Sequence, residues 1–485
     1  MLKLFVCLLI SLSFQSTLAS QKTRRAEFDA KIDDWFIFDL DDDGEREIMA
    51  FFPLNESGRP YALATRVGDQ YVIEKGIMDR RVVSMALGEF GMGPGLQIAL
   101  IQPDQVTFMG KNKDGKLTAV GKSIPFRAII RSPLAAAPGF WHWNTDIDGD
   151  GKDDLYLPGD EGLVVLFGDG KGGFHQRLDV PMAGSRQVDP YSSGHLDFER
   201  SYPSPSFLDV DGDKLVDICW FDEKGLSFVP QGPVRTFDIS KKSSFNLEWL
   251  SGGDSGGVLE KTEIELKDVN QDQLPDLFLS KMSTPASGIT KMSTTLVILL
   301  NQGKGKFAKR PDFALRIGGI IGNGPQLTDL NADGRPDLVF GSYGTSVSDA
   351  IQRAMGNIKV SFNVYIAKKD DKNPFLAQPD LTANYRVPKS DYAKWSVRNN
   401  YILHEDLNGD GIADLFQMVP TKGGHILSVS AGRKDRGKPL VFDDKPFISA
   451  IEGDIKNVTF RTMTTNKPVC MVIIKDRSLV TITLD

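Results

Sequence analysis

The stretch Asp406-Leu407-Asn408-Gly409-Asp410-Gly411-Ile412-Ala413-Asp414 decides how the remainder of the chain is read. Side-chain oxygens stand at its first, third, fifth and ninth places, and Gly411 at the sixth supplies a turn sharp enough to fold the earlier oxygens around one point. Acidic and amide side chains gathered in that way repel unless a cation lies among them. A hard cation is the matching occupant, and calcium takes carboxylate, amide and carbonyl oxygens at about 2.3–2.6 Å. Leu407, in second place, is expected to point away and anchor the loop on a core, with Leu415 and Phe416 opening the next strand.

The phrase recurs. Close copies are Asp39, Asp41, Asp43 and Glu47 around Gly44; Asp146, Asp148, Asp150 and Asp154 around Gly151; and Asp329, Asn331, Asp333 and Asp337 around Gly334. Looser copies are Asp209, Asp211, Asp213 and Asp217, with Lys214 in the glycine place, and Asp268, Asn270, Asp272 and Asp276, with Gln273 there. Together with Asp406, Asn408, Asp410 and Asp414 these are the candidate Ca2+ ligands, and the two loops without the turn glycine are expected to be weak or empty. One acidic glycine loop alone is ordinarily a solvated turn. Loop starts at 146, 209, 268 and 329, about sixty residues apart, call for an architectural cause. An EF-hand is excluded, because its twelfth place needs a bidentate Glu and Leu157 and Phe340 stand there.

With 485 residues, 41% hydrophobic and 25% charged, the composition is that of an ordinary globular protein. Length alone suggests two or three domains, and the repeats override that prior. The formal charge of −7 and the lack of a basic patch interleaved with aromatics argue against nucleic acid as a partner. Residues 1–19 carry a Lys, an apolar run and the small residues Thr17 and Ala19, which reads as a secretory signal cleaved near Ala19. Residues 20–485 are then a single domain in a secreted or periplasmic setting, where calcium reaches the millimolar range. No later run approaches the apolar length of a membrane span. Cys219 and Cys470 occupy equivalent places just inside strands of different repeats, so they read as buried small hydrophobes and not as a disulfide.

Period-two apolar runs separated by turn residues surround each loop, the pattern of four-stranded antiparallel meanders. The first repeat, from about Trp35, reads WFIF, EIMAFF, YALATRV and YVIEKGI. A second, from about Arg81, keeps the strands but has GEFGMGPG in place of the acids, and a third gives FWHWNT, the Asp146 loop, DLYLPG and GLVVLFGDGKGGFHQRLDVP. Four more follow, over about 204–240, 262–317, 326–385 and 401–451, and then a shortened copy with only NVTFRTM, PVCMVIIK and LVTITL. The isolated segment Arg24–Lys31 is expected to supply the missing strand and close a ring. The expectation is an all-β β-propeller, eight-bladed by repeat count with seven as the alternative.

These acidic phrases, with the hairpins LVVLFGDGKGGF, LVILLNQGKGKF and SVSAGRKDRGKPLVF, resemble the FG-GAP or VCBS-type repeats of integrin alpha-chain heads and many secreted bacterial proteins. The resemblance covers nearly all of the chain beyond the signal. It implies a calcium-binding propeller, often of seven blades, and leaves the function open.

In such blades the turns between strands one and two and between three and four open on one face, so the six acidic loops share it. Long insertions near 182–202, 241–260, 281–293, 341–358 and 380–399 fall on the other face, where loops on a rigid scaffold gather binding residues. Arg186, Asp189, Tyr191, His195, Asp197, Arg200, Tyr202, Trp249, Asp254, Tyr343, Arg353, Tyr385, Arg386, Tyr392 and Trp395 suit a glycan or an extracellular protein ligand. Aromatics there equally serve to pin insertions onto the propeller. The competing reading is an enzyme: His142 and His404 precede intact loops in innermost strands, and channel histidines near Arg and Tyr would resemble calcium-dependent polysaccharide lyases on large propellers. His175 follows a hairpin turn and reads as surface. No motif fixes a catalytic constellation, so a binding or adhesion module is the primary expectation.

Overall fold

The computed structural model describes residues 23–483 apart from 128–137, 190–196, 248–258, 285–292, 344–353, 389–400, 464–469 and shorter gaps of at most five residues. Strands Asp34–Phe38, Glu47–Phe51, Arg59–Val67 and Gln70–Met78 form blade 1, each antiparallel to the next in sequence. Blade 2 comprises Ser84–Gly88, Gln97–Ile101, Gln105–Lys111 and Leu117–Pro125, and blade 3 comprises Asn144–Thr145, Asp154–Pro158, Gly162–Gly168 and Phe174–Pro181. Ser206–Leu208, Asp217–Asp222, Gly225–Val229 and Ser243–Asn246 make blade 4; Leu259–Lys267, Asp276–Thr284, Ser293–Leu299 and Phe313–Gly318 make blade 5. In blade 6, Gln326–Thr328 precedes Asp337–Tyr343, Asn357–Tyr365 and Leu381–Pro388. Blade 7 is Tyr401–Glu405, Asp414–Thr421, Gly424–Ser430 and Phe447–Glu452.

The eighth sheet takes Asn457–Arg461, Cys470–Ile474 and Ser478–Thr483 from the end of the chain and Thr23–Glu27 from its beginning. The two ends pair antiparallel, Ala26 opposite Leu479, as the isolated N-terminal strand led one to expect. Eight blades are therefore present among the described residues, and the alternative of seven is set aside.

Each inner strand is buried on both sides because its side chains alternate between two neighbouring blades. In Glu47–Phe51, Ile48 and Ala50 pack with Val472 and Ile474 of blade 8, while Met49 and Phe51 pack with Met85, Ile98 and Leu100 of blade 2. Hydrophobic clusters of this kind lie between blades 2 and 3, 3 and 4, 4 and 5, 5 and 6, 6 and 7, and 7 and 8. The succession returns on itself and makes a ring. No helix among the described residues is long and apolar enough to cross a membrane.

Sequence boundaries and structure part company chiefly at fourth strands. Those of blades 4 and 6, Ser243–Asn246 and Leu381–Pro388, lie inside segments read as insertions. Each pairs on one edge only, so it lacks the two-sided apolar signature of an inner strand. The hairpin at 430–442 likewise splits, with Gly432–Asp435 and Lys438–Phe442 pairing together and Phe447–Glu452 completing blade 7. FWHWNT is divided as well: Gly139–Phe140 adds in parallel to Ser84–Met85 of blade 2, and Asn144–Thr145 begins blade 3.

Ala26 is only 2% exposed, in the cluster that joins blades 8 and 1. Truncating the chain through Glu27 is expected to lower the melting temperature by several degrees and to raise the dimeric or aggregated fraction, because the edge of Ser478–Thr483 loses its partner. Thermal unfolding followed by circular dichroism, with size-exclusion chromatography, checks this.

Candidate metal centres and the opposite face

All six acidic loops adopt one conformation. The first-place aspartate accepts hydrogen bonds from the backbone inside its own loop: Asp146 Oδ1 from the amides of Gly149 (2.8 Å) and Asp150 (3.0 Å), and Oδ2 from that of Gly151 (2.8 Å). Asp209, Asp268, Asp329 and Asp406 bind the amide of their sixth-place residue in the same way, and Asp39 binds that of Gly44. Two left-handed residues make the wrap. Position six has φ of 82° at Gly151 and 86° at Gly411, and position four has 78° at Gly149 and 84° at Gly409. Lys214 and Gln273 hold the same left-handed turn at 72° and 71°, so those loops keep their shape at a cost of roughly 1 kcal/mol each. The second-place residues Leu40, Ile147, Val210, Val269, Leu330 and Leu407 are all buried, the anchoring role expected of them.

The ninth residue does what the sequence reading did not foresee. Asp154, Asp217, Asp276, Asp337 and Asp414 are fully buried. One oxygen of Asp154 accepts the amide of second-place Ile147 (2.9 Å), and the other accepts that of Gly168 at the end of strand three (2.8 Å). The same pair of donors serves Asp217 (Val210 and Gln231), Asp276 (Val269 and Asn301), Asp337 (Leu330 and Ala367) and Asp414 (Leu407 and Gly432). Both turns of a blade's rim therefore meet at one carboxylate, which puts the acidic loops and the three-to-four turns on a single face.

Carboxylate oxygens of Asp146, Asp148 and Asp154 lie within 4.8 Å of one another, as do those of Asp209, Asp211 and Asp217 and those of Asp39, Asp41 and Asp43. These groups can hold a metal ion. Burial pushes Asp148 and Asp211 above the usual carboxylate range, and the neighbouring charges of Asp150 and Asp213 add to it. In blade 6, Asn331 is 3% exposed and its Oδ1 has no hydrogen-bond partner, a buried acceptor of the hard-oxygen type a cation would satisfy.

Adjacent loops are also tied to each other. Gln231 Nε2 of blade 4 donates to Asp148 O of blade 3 (2.8 Å), and Asn301 Nδ2 of blade 5 donates to Val210 O of blade 4 (2.9 Å). The amide of Ala413 binds Leu330 O (2.9 Å), that of Lys304 binds Asp211 O (2.7 Å), and that of Leu96 binds Leu40 O (2.9 Å). Blade 2, which has no acidic loop, puts Gln97 in the ninth place: Oε1 accepts the amide of Phe90 (3.0 Å) and Nε2 donates to Gly95 O (2.6 Å). None of these side-chain latches was singled out from sequence. The available signal was a polar residue recurring just after strand three, at Gln231 and Asn301.

On the opposite face a cleft of about 840 Å³ opens between the blade 3–4 connection and blade 4. It is lined by Tyr202, Phe221, Lys224, Lys242, Phe245 and Asn246, among others. The hairpin Ser185–Asp189 with Asp197–Ser201 leads into it, and the Tyr202 hydroxyl donates to Asp160 O (2.8 Å). Asp222, also in the lining, is engaged internally by the amide of Lys224 (2.9 Å) and the Ser227 hydroxyl (3.0 Å). Lys242 Nζ sits 4.7 Å from the centre of the Trp220 ring.

Of the other residues assigned to the insertions, Arg186, Asp189, Asp197, Arg200, Tyr343, Tyr385 and Arg386 lie on strands, with side chains outside the described set. Tyr191, His195, Trp249, Asp254, Arg353, Tyr392 and Trp395 lie outside the described residues. His142 is not in an innermost strand; it is exposed between Phe140 and Asn144, and its carbonyl accepts the Tyr156 hydroxyl. His404 is on the first strand of blade 7, its side chain outside the described set, and His175 is exposed as expected. Cys219 is buried with its thiol pushed well above the ordinary range by desolvation, a packing residue as read; the Cys470 side chain is outside the described set.

Residues 268–340 match the family described as FG-GAP-like repeat. No curated protein sequence matches the chain. Among solved structures, it is similar to an Agrocybe aegerita lectin described as recognising non-reducing terminal N-acetylglucosamine, at 15% identity and TM-score 0.41, covering 93% of this chain and 99% of that one. It is also similar to the WD40 domain of SCAP from fission yeast, at 11% identity and TM-score 0.42, covering 95% and 94% respectively. A third is the V. cholerae biofilm matrix protein Bap1, at 10% identity and TM-score 0.30, covering 95% and 89%.

Burial raises Asp154, Asp217, Asp276 and Asp337 to about 7 in the metal-free protein, against the pull of their backbone donors. The folded state then binds more protons than the unfolded state between about pH 4 and 7, so this stabilisation is complete below the unfolded value and is lost as pH rises through 7. In the presence of chelator the melting temperature is expected to fall between pH 5 and pH 8, and differential scanning fluorimetry across that range checks the sign.

Proposed function

Starting from an eight-bladed propeller built on FG-GAP-like repeats, we propose that this chain is an exported binding or adhesion module. Calcium stiffens one face of it, and a glycan or an extracellular protein is held on the other. The observation that carries the reading is the cleft beside Tyr202 and Lys224, on the face turned away from every acidic loop. Phe221 and Phe245 offer apolar surface and Lys224 and Lys242 offer ammonium donors, a mixture that suits a sugar ring or a peptide bearing acidic or hydroxyl groups.

The metal's part in this reading is structural. Asp146, Asp148 and Asp154, and Asp209, Asp211 and Asp217 in blade 4, gather hard oxygens for an ion of calcium's preference, the loops of blades 5 to 7 carry the same donor types, and the ion offsets repulsion among carboxylates that burial has already made costly. Where the buried Asn331 oxygen lacks a protein donor, the ion supplies the missing partner.

Two outcomes are expected. Chelator lowers the melting temperature by well over several degrees at pH 7.5, millimolar calcium restores it, and Asp148→Ala removes only a fraction of the calcium effect; a melting curve indifferent to both would overturn the structural role. On an array of acidic and neutral glycans and extracellular proteins, Tyr202→Ala or Lys224→Glu weakens binding of the captured ligand at least tenfold, with melting temperature unchanged. Retention of full affinity in both variants would move the ligand elsewhere on the ring.

A further inference from the structure

The acidic loop of blade 1 leaves Asp39 Oδ1 and Asp41 Oδ1 buried without a hydrogen-bond partner, and, like the blade 6 loop where Arg335 pairs with Asp333 (2.9 Å), it meets a basic side chain. Lys111, at the end of the third strand of blade 2, is 8% exposed and turns its ammonium into that loop. Its Nζ lies 2.8 Å from Glu47 Oε1 and 2.5 Å from Asp41 Oδ2, so it touches the third- and ninth-place carboxylates together. Gln231 and Asn301 occur just past the third strands of blades 4 and 5, and each likewise reaches into the loop of the preceding blade. Those two are neutral and donate to backbone carbonyls. Lys111 is the charged version of the same latch, and its targets are the carboxylates themselves.

The consequence shows in how the oxygens gather. In blades 3 and 4 the ninth-place carboxylate joins the first and third within 4.8 Å, whereas in blade 1 the group is Asp39, Asp41 and Asp43, without Glu47. Glu47 gives Oε2 to the amide of Leu40 (2.8 Å), as its counterparts do, but Oε1 goes to a cation and not to a neutral amide. A divalent ion ligated through Asp41 would stand beside that ammonium, and two cations a few ångströms apart in a partly desolvated loop repel strongly. Arg66 adds a second cation to the same rim, 2.7 Å from Glu45.

We propose that the Lys111 ammonium is the resident cation of the blade 1 loop, which therefore binds no metal, leaving the loops of blades 3 to 7 as the metal-dependent set. This rests on the calcium reading for those five loops, including the two at Asp209 and Asp268 that were expected to be weak or empty, and departs from the expectation that Asp39, Asp41, Asp43 and Glu47 ligate calcium. The role of Lys111 is to hold the turn in shape at any calcium concentration.

The experiment counts terbium ions bound to the full chain by mass spectrometry after desalting, for the wild type and the Asp41→Asn and Asp148→Asn variants. Asp148→Asn is expected to lose one ion and Asp41→Asn none; loss of one ion in Asp41→Asn overturns the proposal. Should the wild type bind no terbium, the calcium reading fails by itself, and Lys111→Met decides the present one by stability. In chelator, a melting temperature several degrees below wild type supports a resident ammonium and an unchanged value overturns it. If Lys111→Met fails to fold, Lys111→Arg, which keeps the charge, is expected to fold and to bind the wild-type number of ions; an additional ion in Lys111→Arg counts against the proposal.

Discussion

The buried carboxylate at the ninth place of each loop is the constraint on which the rim of this propeller depends. A carboxylate without exposed surface is tolerated only where donors replace water. At Asp154 those donors are the amide of Ile147 in the loop and that of Gly168 at the far end of the hairpin partner. Satisfying one side chain thus closes the first turn of the blade and fixes the third strand against it. Blade 2 shows which part of this is fold and which is charge. Gln97 closes the one-to-two turn with a neutral amide, accepting the amide of Phe90 and donating to Gly95 O within the turn. Negative charge is accordingly surplus to the turn itself, and its accumulation in the other loops is intelligible as a demand for cations.

The two faces of the ring divide the work. On the acidic face the six acidic turns between strands one and two are short and repeat the same backbone path, and several are hydrogen-bonded to a neighbouring blade, as at Val210 with Asn301 and Leu330 with Ala413. An insertion between strands one and two would break the contacts that join one acidic loop to the next blade. The opposite face has no such belt among the described residues, so the chain can lengthen between blades 3 and 4 into the hairpin that leads to Tyr202. A rigid rim on one side and tolerated loops on the other is the arrangement by which a propeller presents a binding surface without loosening its core.

Much of this was legible in the residues. Alternating apolar runs, the sixty-residue spacing of the acidic phrases and the unpaired strand near Ala26 sufficed for blade architecture and for closure by the two ends. Fourth strands were less legible, since a strand such as Ser243–Asn246 buries little and pairs on one edge. Lys111 was invisible for a different reason. It closes the run Gln105–Lys111 as an ordinary polar residue, and its partners Asp41 and Glu47 are 70 and 64 positions away in the neighbouring blade. Spacing arguments find ligands within a loop and miss a cation delivered from outside it. His142 illustrates the same limit, because nothing local announces that Phe140 and Asn144 are assigned to different blades.

The seam within blade 8, where the two ends of the chain pair, is the contact most costly to form. Thr23–Glu27 meets Ser478–Thr483 across almost the whole chain, and contacts of such sequence separation bear the largest loop-closure entropy. Packing offsets it, through Ala26, Phe28 and Ile32 on one side and Val472, Ile474 and Leu479 on the other. In the blades that follow the seam, the rim turn of blade 1 is tied by Lys111 and that of blade 2 by Gln97, as those of blades 3 and 4 are by Gln231 and Asn301. A covalently attached donor has an effective concentration that does not vary with the medium, whereas a bound ion is present only as far as its affinity and supply allow. Lys111, one blade from the seam, therefore holds its rim turn without drawing on a dissolved ion.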